Sequence, residues 1–373
     1  MGKANITIRD IARHCHVSTA TVSRALNHQP GVSEELRLSI LRFATISGYE
    51  PNSSAQSLRS RNTNIAYLVM REGNSKDLPL HIPLLQELKL AVHMDFKIHS
   101  LSYDTDLIED LQRLEERGPA RLIIIAGPCL VSDSSRFRSL NSPLLFVLAD
   151  DAPNGYPSIM SDDFEGAKTL TDAVLDHGHR SIEVITDCDV SGKANYRKRL
   201  SGYKTSLAEH DIAFDPSIVH ALPVDFNDYL ASAQSMVTER LLPVLQHKTS
   251  RSHPKPTAIL LFSDFMTLPL IRVLWNVGIY VPENISVVSF GGWTLTQYLP
   301  VSIWTWVQSV PDISQTLLAA VSALINGQPF HDELPLPHML RDGTHAVARA
   351  IEKTHYVVPG FLREGQSLST LSR

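Results

Sequence analysis

Residues 17–26 read VSTATVSRAL, and the fold turns on what this stretch is for. It holds small alcohols and alanines, one charge at Arg24, and Val and Leu at helical spacing. Ser18 can cap a helix by accepting from its first turn. Val22, Ala25 and Leu26 then share one face, leaving Thr19, Ala20, Thr21, Ser23 and Arg24 outward. A helix that enters the major groove needs such an outer face, small or polar, so that its backbone can approach phosphates and base edges. Thr and Ala suit a thymine methyl, Ser and Thr a phosphate or base edge, and Arg24 a guanine. The same face would also suit a solvated helix of any small bundle, so the flanks decide.

Upstream, TIRDIARHC (7–15) opens with Thr7 as a cap and carries Asp10 three residues on, near the positive end of a helix. Ile8, Ile11 and Ala12 share a face, and the following HV makes a short turn. Downstream, Ser33 caps a third helix with Glu34 and Glu35 in its first turn, Leu36, Ile40 and Phe43 inside, and Gly48 as its stop. Three short helices around one small core are marginal without a partner. In YEPNSSAQSLRSRNTN (49–64), Pro51 blocks the third helix and Asn52 can cap another of two turns at most. So short a helix orders only when something holds it.

Charge separates this head from the rest. Residues 1–64 hold eight Lys/Arg against four Asp/Glu, net +4, whereas the remainder holds 26 against 35, net −9. A basic head on an acidic body fits a protein whose head alone meets a polyanion. No apolar run approaches a bilayer span, and MGKANITIRD lacks the apolar core of a secretion signal. The three cysteines, Cys15, Cys129 and Cys188, have no metal-like spacing and fit a reducing, cytoplasmic setting.

From Ile65 onward, apolar strand-like runs alternate with amphipathic helices. The runs are IAYLVM (65–70), KIHSLS (97–102), RLIIIAG (121–127) and PLLFVLA (143–149), then SIEVIT (181–186), SIVHAL (217–222), TAILLFS (257–263) and ISVVSF (285–290). Helices are expected near 80–94, 106–117, 132–139, 163–177, 192–210, 227–246 and 265–277. That rhythm predicts two parallel-sheet α/β subdomains with a ligand cleft at the carboxyl ends of the strands. SIWTWVQ (302–308) and a helix near 311–326 are expected to cross back to the first lobe.

TIRDIARHCHVSTATVSRALN and VSEELRLSILRFATISGYEPNSSAQSLRS together resemble the DNA-binding head of LacI/GalR-family transcription regulators, almost continuously over residues 6–60. The resemblance implies an α/β protein with an N-terminal helix-turn-helix, a hinge helix and a bilobal periplasmic-binding-protein-like body. It implies a homodimer on a pseudo-palindromic operator, with Leu58 wedged into the minor groove. Asn27, Ala55, Gln56 and Arg59 complete the implied DNA-facing set. Further along, RKRLSGYK resembles the segment whose arginine reaches the effector, matching Arg199 with Arg197 nearby. The match over AILLFSDFM implies effector hydroxyls on Asp264, and VDFNDY places Phe226 where relatives stack an aromatic.

The resemblance also has gaps. An aspartate usual after the strand at 285–290 is missing, since the chain reads SFGGW. Trp304 and Trp306 fall on one face of a strand, where they either fill the cleft or pack.

The expected boundaries are a helix-turn-helix at 1–50, a hinge helix and linker at 51–62, and an effector-binding and dimerisation domain at 63–373. Within the last, the first lobe takes 63–160 and 293–327, the second 161–292 and 328–360, and a C-terminal tail 361–373, of which the last ten or so residues are expected to be disordered. The expected function is a repressor controlled by a carbohydrate. The alternatives are a purine, nucleoside or sugar-phosphate effector, or a sugar-binding protein without DNA function. No nucleophile elbow, P-loop, GxGxxG or metal cluster appears, so no catalytic residue, metal or cofactor is expected.

Overall fold

The computed structural model describes residues 8–26, 31–46, 65–71, 94–102, 105–127, 129–149, 151–186, 194–221, 229–246, 255–339, 344–351 and 354–371. Thr7, Asn27, Gly48, the hinge segment 51–62 with Asn52, Ala55, Gln56, Leu58 and Arg59, the expected helix near 80–94, Cys188 and Phe226 lie outside the described residues.

The head is three helices, α1 (Ile8–His14), α2 (Thr19–Leu26) and α3 (Glu34–Ile46). Ser18 caps α2 as its sequence demands, its hydroxyl accepting from the Thr21 amide at 3.1 Å. Ile11, Val22, Ala25 and Ile40 are completely buried together, with Ala12 and Ala44 beside them. The turn between α1 and α2 passes through His16 at a left-handed φ of 54°. Arg37 went unnoticed in the sequence. It is buried on α3 and donates to the Ala25 carbonyl at 3.4 Å, so a cation meets the carbonyl-rich end of α2.

The body contains β1 (Ile65–Arg71), β2 (Asp95–Leu101), α4 (Leu107–Glu116), β3 (Leu122–Ala126), β4 (Leu144–Val147), β5 (Ser158–Ser161), α5 (Asp163–Asp176), β6 (Ile182–Thr186), α6 (Ala194–Glu209) and β7 (Val219–Ala221). It continues with α7 (Tyr229–Met236), α8 (Leu242–Gln246), β8 (Ala258–Leu261), α9 (Thr267–Asn276), β9 (Ser286–Gly291), β10 (Trp304–Val307), α10 (Val310–Asn326), β11 (Glu333–Met339), β12 (His345–Ile351), β13 (His355–Val358) and β14 (Phe361–Arg363). The segment expected as a helix near 132–139 is a tight 3-10 turn, Ser134–Ser139, capped by Asp133. The long helix expected at 227–246 is split by one wide turn, Val237–Leu241, between α7 and α8.

Two sheets result, β11-β12-β13-β5-β4-β3-β1-β2 and β14-β10-β9-β8-β6-β7. Alternate residues serve opposite faces, as period two requires. Leu122 and Ile124 of β3 join one core with Leu68, Leu145 and Ile159, while Ile123 and Ile125 join another with Leu111 and Phe146. In the second sheet Ile259 and Leu261 face one core, Leu260 and Val288 the other. Burying each such side chain is worth about 1.5–3 kcal/mol before entropy is charged.

The expected lobe boundaries need correction. Helix α10 does pack on the first sheet, through Ile313, Leu317 and Val321. Strand β10, placed with the first lobe by the sequence reading, instead pairs parallel to β9 in the second sheet. Segment 328–360, assigned to the second lobe, supplies β11, β12 and β13 to the first, with β13 parallel to β5. An apolar run announces a strand but carries no label for its sheet. Strand β11 sits at the edge, where Pro335 and Pro337 lack only donors the edge does not need.

The tail is tied to the body as far as residue 371, contrary to expectation. β14 pairs antiparallel to β10, and the Ser367 hydroxyl bonds the Trp304 amide at 2.9 Å. Leu371 donates to the His177 carbonyl at 2.9 Å. Buried His179 receives the segment, with Nε2 at 2.8 Å from the Ser369 carbonyl and Nδ1 at 2.9 Å from the Thr257 hydroxyl. Burial, aided by His177 and Arg180, holds its pKa below the ordinary 6.5. The unfolded chain therefore takes up the proton more readily, so stability present above the ordinary histidine range is lost as pH falls through it. The melting temperature is expected to drop on mild acidification, and less so in His179→Gln. Equal slopes in both proteins would refute this.

Candidate functional site

The head offers one continuous outward face on α2. Thr19, Ala20 and Arg24 are exposed and Thr21 is half-buried, its hydroxyl 2.9 Å from that of Ser18. Ser23 lies on the same helix. Behind this face Val22 and Ala25 are fully buried, so the helix is pinned while its outer surface stays clear. Ser33 precedes α3, where its carbonyl accepts from the Arg37 amide at 2.9 Å. This is a fixed helix with small and cationic side chains, the shape a groove admits.

The second candidate lies at the carboxyl ends of β8, β9 and β10. Asp162 caps α5, accepting from the Glu165 amide at 3.0 Å, which sets Asp163 in the first helical turn. Gly202 lets α6 press against α5, since a Cβ there would stand 2.2 Å from the Phe164 carbonyl oxygen. That close approach brings Arg199 onto Asp163, with Nε donating to Oδ1 at 2.8 Å. A terminal nitrogen of Arg199 also donates to the Phe262 carbonyl, and the guanidinium lies 3.8 Å from the Phe290 ring centroid. Both members of the pair are almost wholly buried. Asp163 was not singled out from sequence, although its place in the first turn after a capping Asp162 was a readable signal.

Asp264 follows β8 and is also buried. Its partners differ from the ligand hydroxyls expected of it. Oδ1 accepts from Ser289 on β9 and from Thr305 on β10 at 3.1 Å, and Oδ2 accepts from the Trp293 amide. Burial pushes its carboxyl pKa upward against these donors. Where a side chain would follow β9 there are Gly291 and Gly292, at φ of 140° and 83°. A Cβ on Gly291 would lie 3.2 Å from Asp264 Oδ2, and one on Gly292 only 2.7 Å from the Val307 backbone. Next to this turn Phe265 and Trp293, both half-buried, bring their rings to 5.1 Å between centroids at 32°.

Arg197 is exposed one position from Lys198, whose ammonium lies 3.8 Å from the Met160 sulfur at the end of the first lobe. Trp304 does not join the site. It stands at the amino end of β10, its indole N–H donates to the Gly365 carbonyl at 2.9 Å, and its ring meets His177 edge-on. The packing role is therefore the right one for Trp304, because the carboxyl end of the strand is three residues away at Val307.

Trp306 occupies the junction of the lobes. The chain crosses between them at 161–163, 307–310 and 358–361. The Asp162 amide bonds the Val358 carbonyl at 3.0 Å, and the Gln308 side chain bonds the Ser161 hydroxyl at 2.6 Å. Against these crossings the Trp306 ring lies where a Cβ on Gly166 or Gly360 would come within 2.4 or 2.6 Å of its nitrogen. Only glycines leave it room.

Residues 7–52 match the model of bacterial regulatory proteins of the lacI family, and residues 171–344 match that of a periplasmic binding protein-like domain. The probable HTH-type transcriptional repressor ExuR of Bacillus subtilis is 27% identical over 328 residues, 85% of this chain and 92% of that protein. The ribose operon repressor of Haemophilus influenzae is 25% identical, over 83% of this chain and 89% of its own length. The lac repressor dimer bound to operator and the anti-inducer ONPF superimposes with a TM-score of 0.64 at 18% identity, covering 98% of this chain and all of that one. A grooved-face helix on a small basic head, two parallel sheets joined by three crossings, and both family matches lead to one conclusion: this chain belongs to the LacI/GalR family of transcriptional regulators.

Proposed function

We propose that the protein represses transcription by binding a pseudo-palindromic operator as a homodimer, under control of a small carbohydrate held between the lobes. The observation that carries this reading is α2, pinned by Val22 and Ala25 while Thr19, Ala20 and Arg24 stay exposed, on a head of net +4. The chain passes between the lobes at three crossings, about which their angle can shift when a ligand is held. A sugar shifts the DNA-binding equilibrium only by its difference in affinity for the two arrangements. The repressor names among the relatives and the ribose operon repressor support a sugar-controlled repressor, acting in the cytoplasm without turnover of its ligand. Dimerisation is supported by an exposed apolar face on α9 and the turn after it, where Leu268 and Trp275 stand seven residues apart, followed by Val277 and Tyr280.

The test is footprinting of neighbouring promoter fragments against random competitor, with and without sugars, over a salt series. Arg24→Ala is expected to weaken binding to the preferred fragment by about 1–3 kcal/mol while random DNA loses little. Equal weakening on both would reduce Arg24 to a phosphate contact. Absence of any preferred fragment would refute the proposal.

A further inference from the structure

We infer that His338 is a two-position latch between the lobes. Its ring rests on Phe361 of the second lobe in the arrangement described, and turns onto Asp312 of the first lobe when the lobe angle changes. The inference rests on the regulatory reading above for its effect on DNA, and names a switch within it.

The two partners belong to different lobes. His338 lies on β11, at the edge of the first sheet, where the pairing with β12 shifts register between Pro335 and Met339. Such irregularities re-aim side chains. Asp312 stands in the first turn of α10, which packs on the same sheet, and its amide donates to the capping Ser309 hydroxyl at 3.4 Å. Phe361, at the end of the third crossing, opens β14 and pairs with Val307 in the second sheet.

His338 is attached to both. Its amide donates to Asp312 Oδ1 at 3.0 Å, while its ring lies against Phe361 with centroids 4.4 Å apart at 40°. Nδ1 stops 3.9 Å from Asp312 Oδ2, beyond hydrogen-bond reach. Neither atom has a hydrogen-bond partner among the described residues, and the Asp312 side chain is completely buried. A buried carboxylate oxygen without a donor raises the free energy of any arrangement that leaves it so. About 1 Å of approach by the ring would supply that donor, and the Phe361 contact opposes it. The buried Trp306 N–H, at the second crossing, also lacks an acceptor. Unpaired groups thus stand at the seam that a change of lobe angle remakes.

Two variants of the full-length protein push the latch in opposite directions. His338→Phe keeps a ring for Phe361 and has no nitrogen for Asp312, so it favours the arrangement described. Phe361→Leu removes the ring partner and leaves the Asp312 bond available, so it favours the other. Spin labels carried by non-canonical residues at exposed Ser134 in the first lobe and exposed Ser201 in the second report the distance between lobes, with no ligand or DNA present. The ratio of long to short distances is expected to differ between the variants about fivefold or more. Operator affinity without ligand is expected to differ between them by a similar factor, with the wild type between. Damage to the fold would instead lower the melting temperature and weaken operator binding in both. Equal distance distributions in the two variants overturn the inference. Distances that differ while no DNA fragment is preferred uphold the latch and remove the regulatory reading.

Discussion

Substituting Gly166 by alanine is expected to cost about 3 kcal/mol of stability, the upper end of the overpacking range. The new Cβ would fall 2.4 Å from the Trp306 indole nitrogen and within 2.7 Å of two ring carbons. The indole is only 6% exposed, and a Cβ on Gly360 would likewise stand 2.6 Å from its nitrogen. A buried rigid ring this close to two backbones has little room for another rotamer. The three atoms nearest to a Gly166 methyl all belong to Trp306, which makes the effect separable. Trp306→Leu alone opens a cavity and costs roughly 2–4 kcal/mol. In that background Gly166→Ala should cost almost nothing, a coupling of about 2–3 kcal/mol in denaturant melts. Additive losses would show that the glycine is required for the start of α5 and not for the indole.

The second large effect concerns charge. Arg199→Leu removes from buried Asp163 the guanidinium that donates to its Oδ1 at 2.8 Å. Breaking such a pair on one side costs about 3–5 kcal/mol. Part of that loss returns in the double variant Arg199→Leu, Asp163→Asn, because an amide tolerates burial better than a carboxylate. Thermal melts of the wild type, both single variants and the double variant form the cycle. A double variant no more stable than Arg199→Leu would mean that the cost arises from the lost Phe262 and Phe290 contacts of the guanidinium. Binding of a cyclic sugar, followed in the same four proteins, separates Arg199 as a ligand contact from Arg199 as a fastener.

These cases show how far the chain could be read without coordinates. Helix starts were readable because a cap is a local event: Ser18 and the first turn of α2 are neighbours in sequence and in space. The two sheets were readable because each strand carries its own apolar run, as in LIIIA of β3. Membership of a sheet was not, since nothing in WTWV tells β10 that its partner is β9. The ordered tail was missed for the same reason. Its serines look like solvent-facing residues until Ser367 and Ser369 are set against Trp304 and Ser286, more than sixty positions earlier. Asp264 was found by position but its partners were not, because Ser289 and Thr305 sit among apolar neighbours and reveal a polar role only when β8, β9 and β10 are side by side. Trp293 could have been noticed, since a tryptophan directly after two glycines is an unusual way to leave a strand.

The threefold passage of the chain between the lobes bears on the order in which the molecule can be made. The first sheet admits β13 only after residue 358 has been synthesised, and the second closes with β14 at 361–363. A ribosome therefore releases a complete head long before either half of the trunk can finish. For that interval the nascent chain carries all three helices of the head while both sheets of the trunk are incomplete. Pairings between distant segments are also the slow ones. The partly made trunk, with β5 and β10 still waiting for their neighbours, is the stage at which chaperones would be engaged.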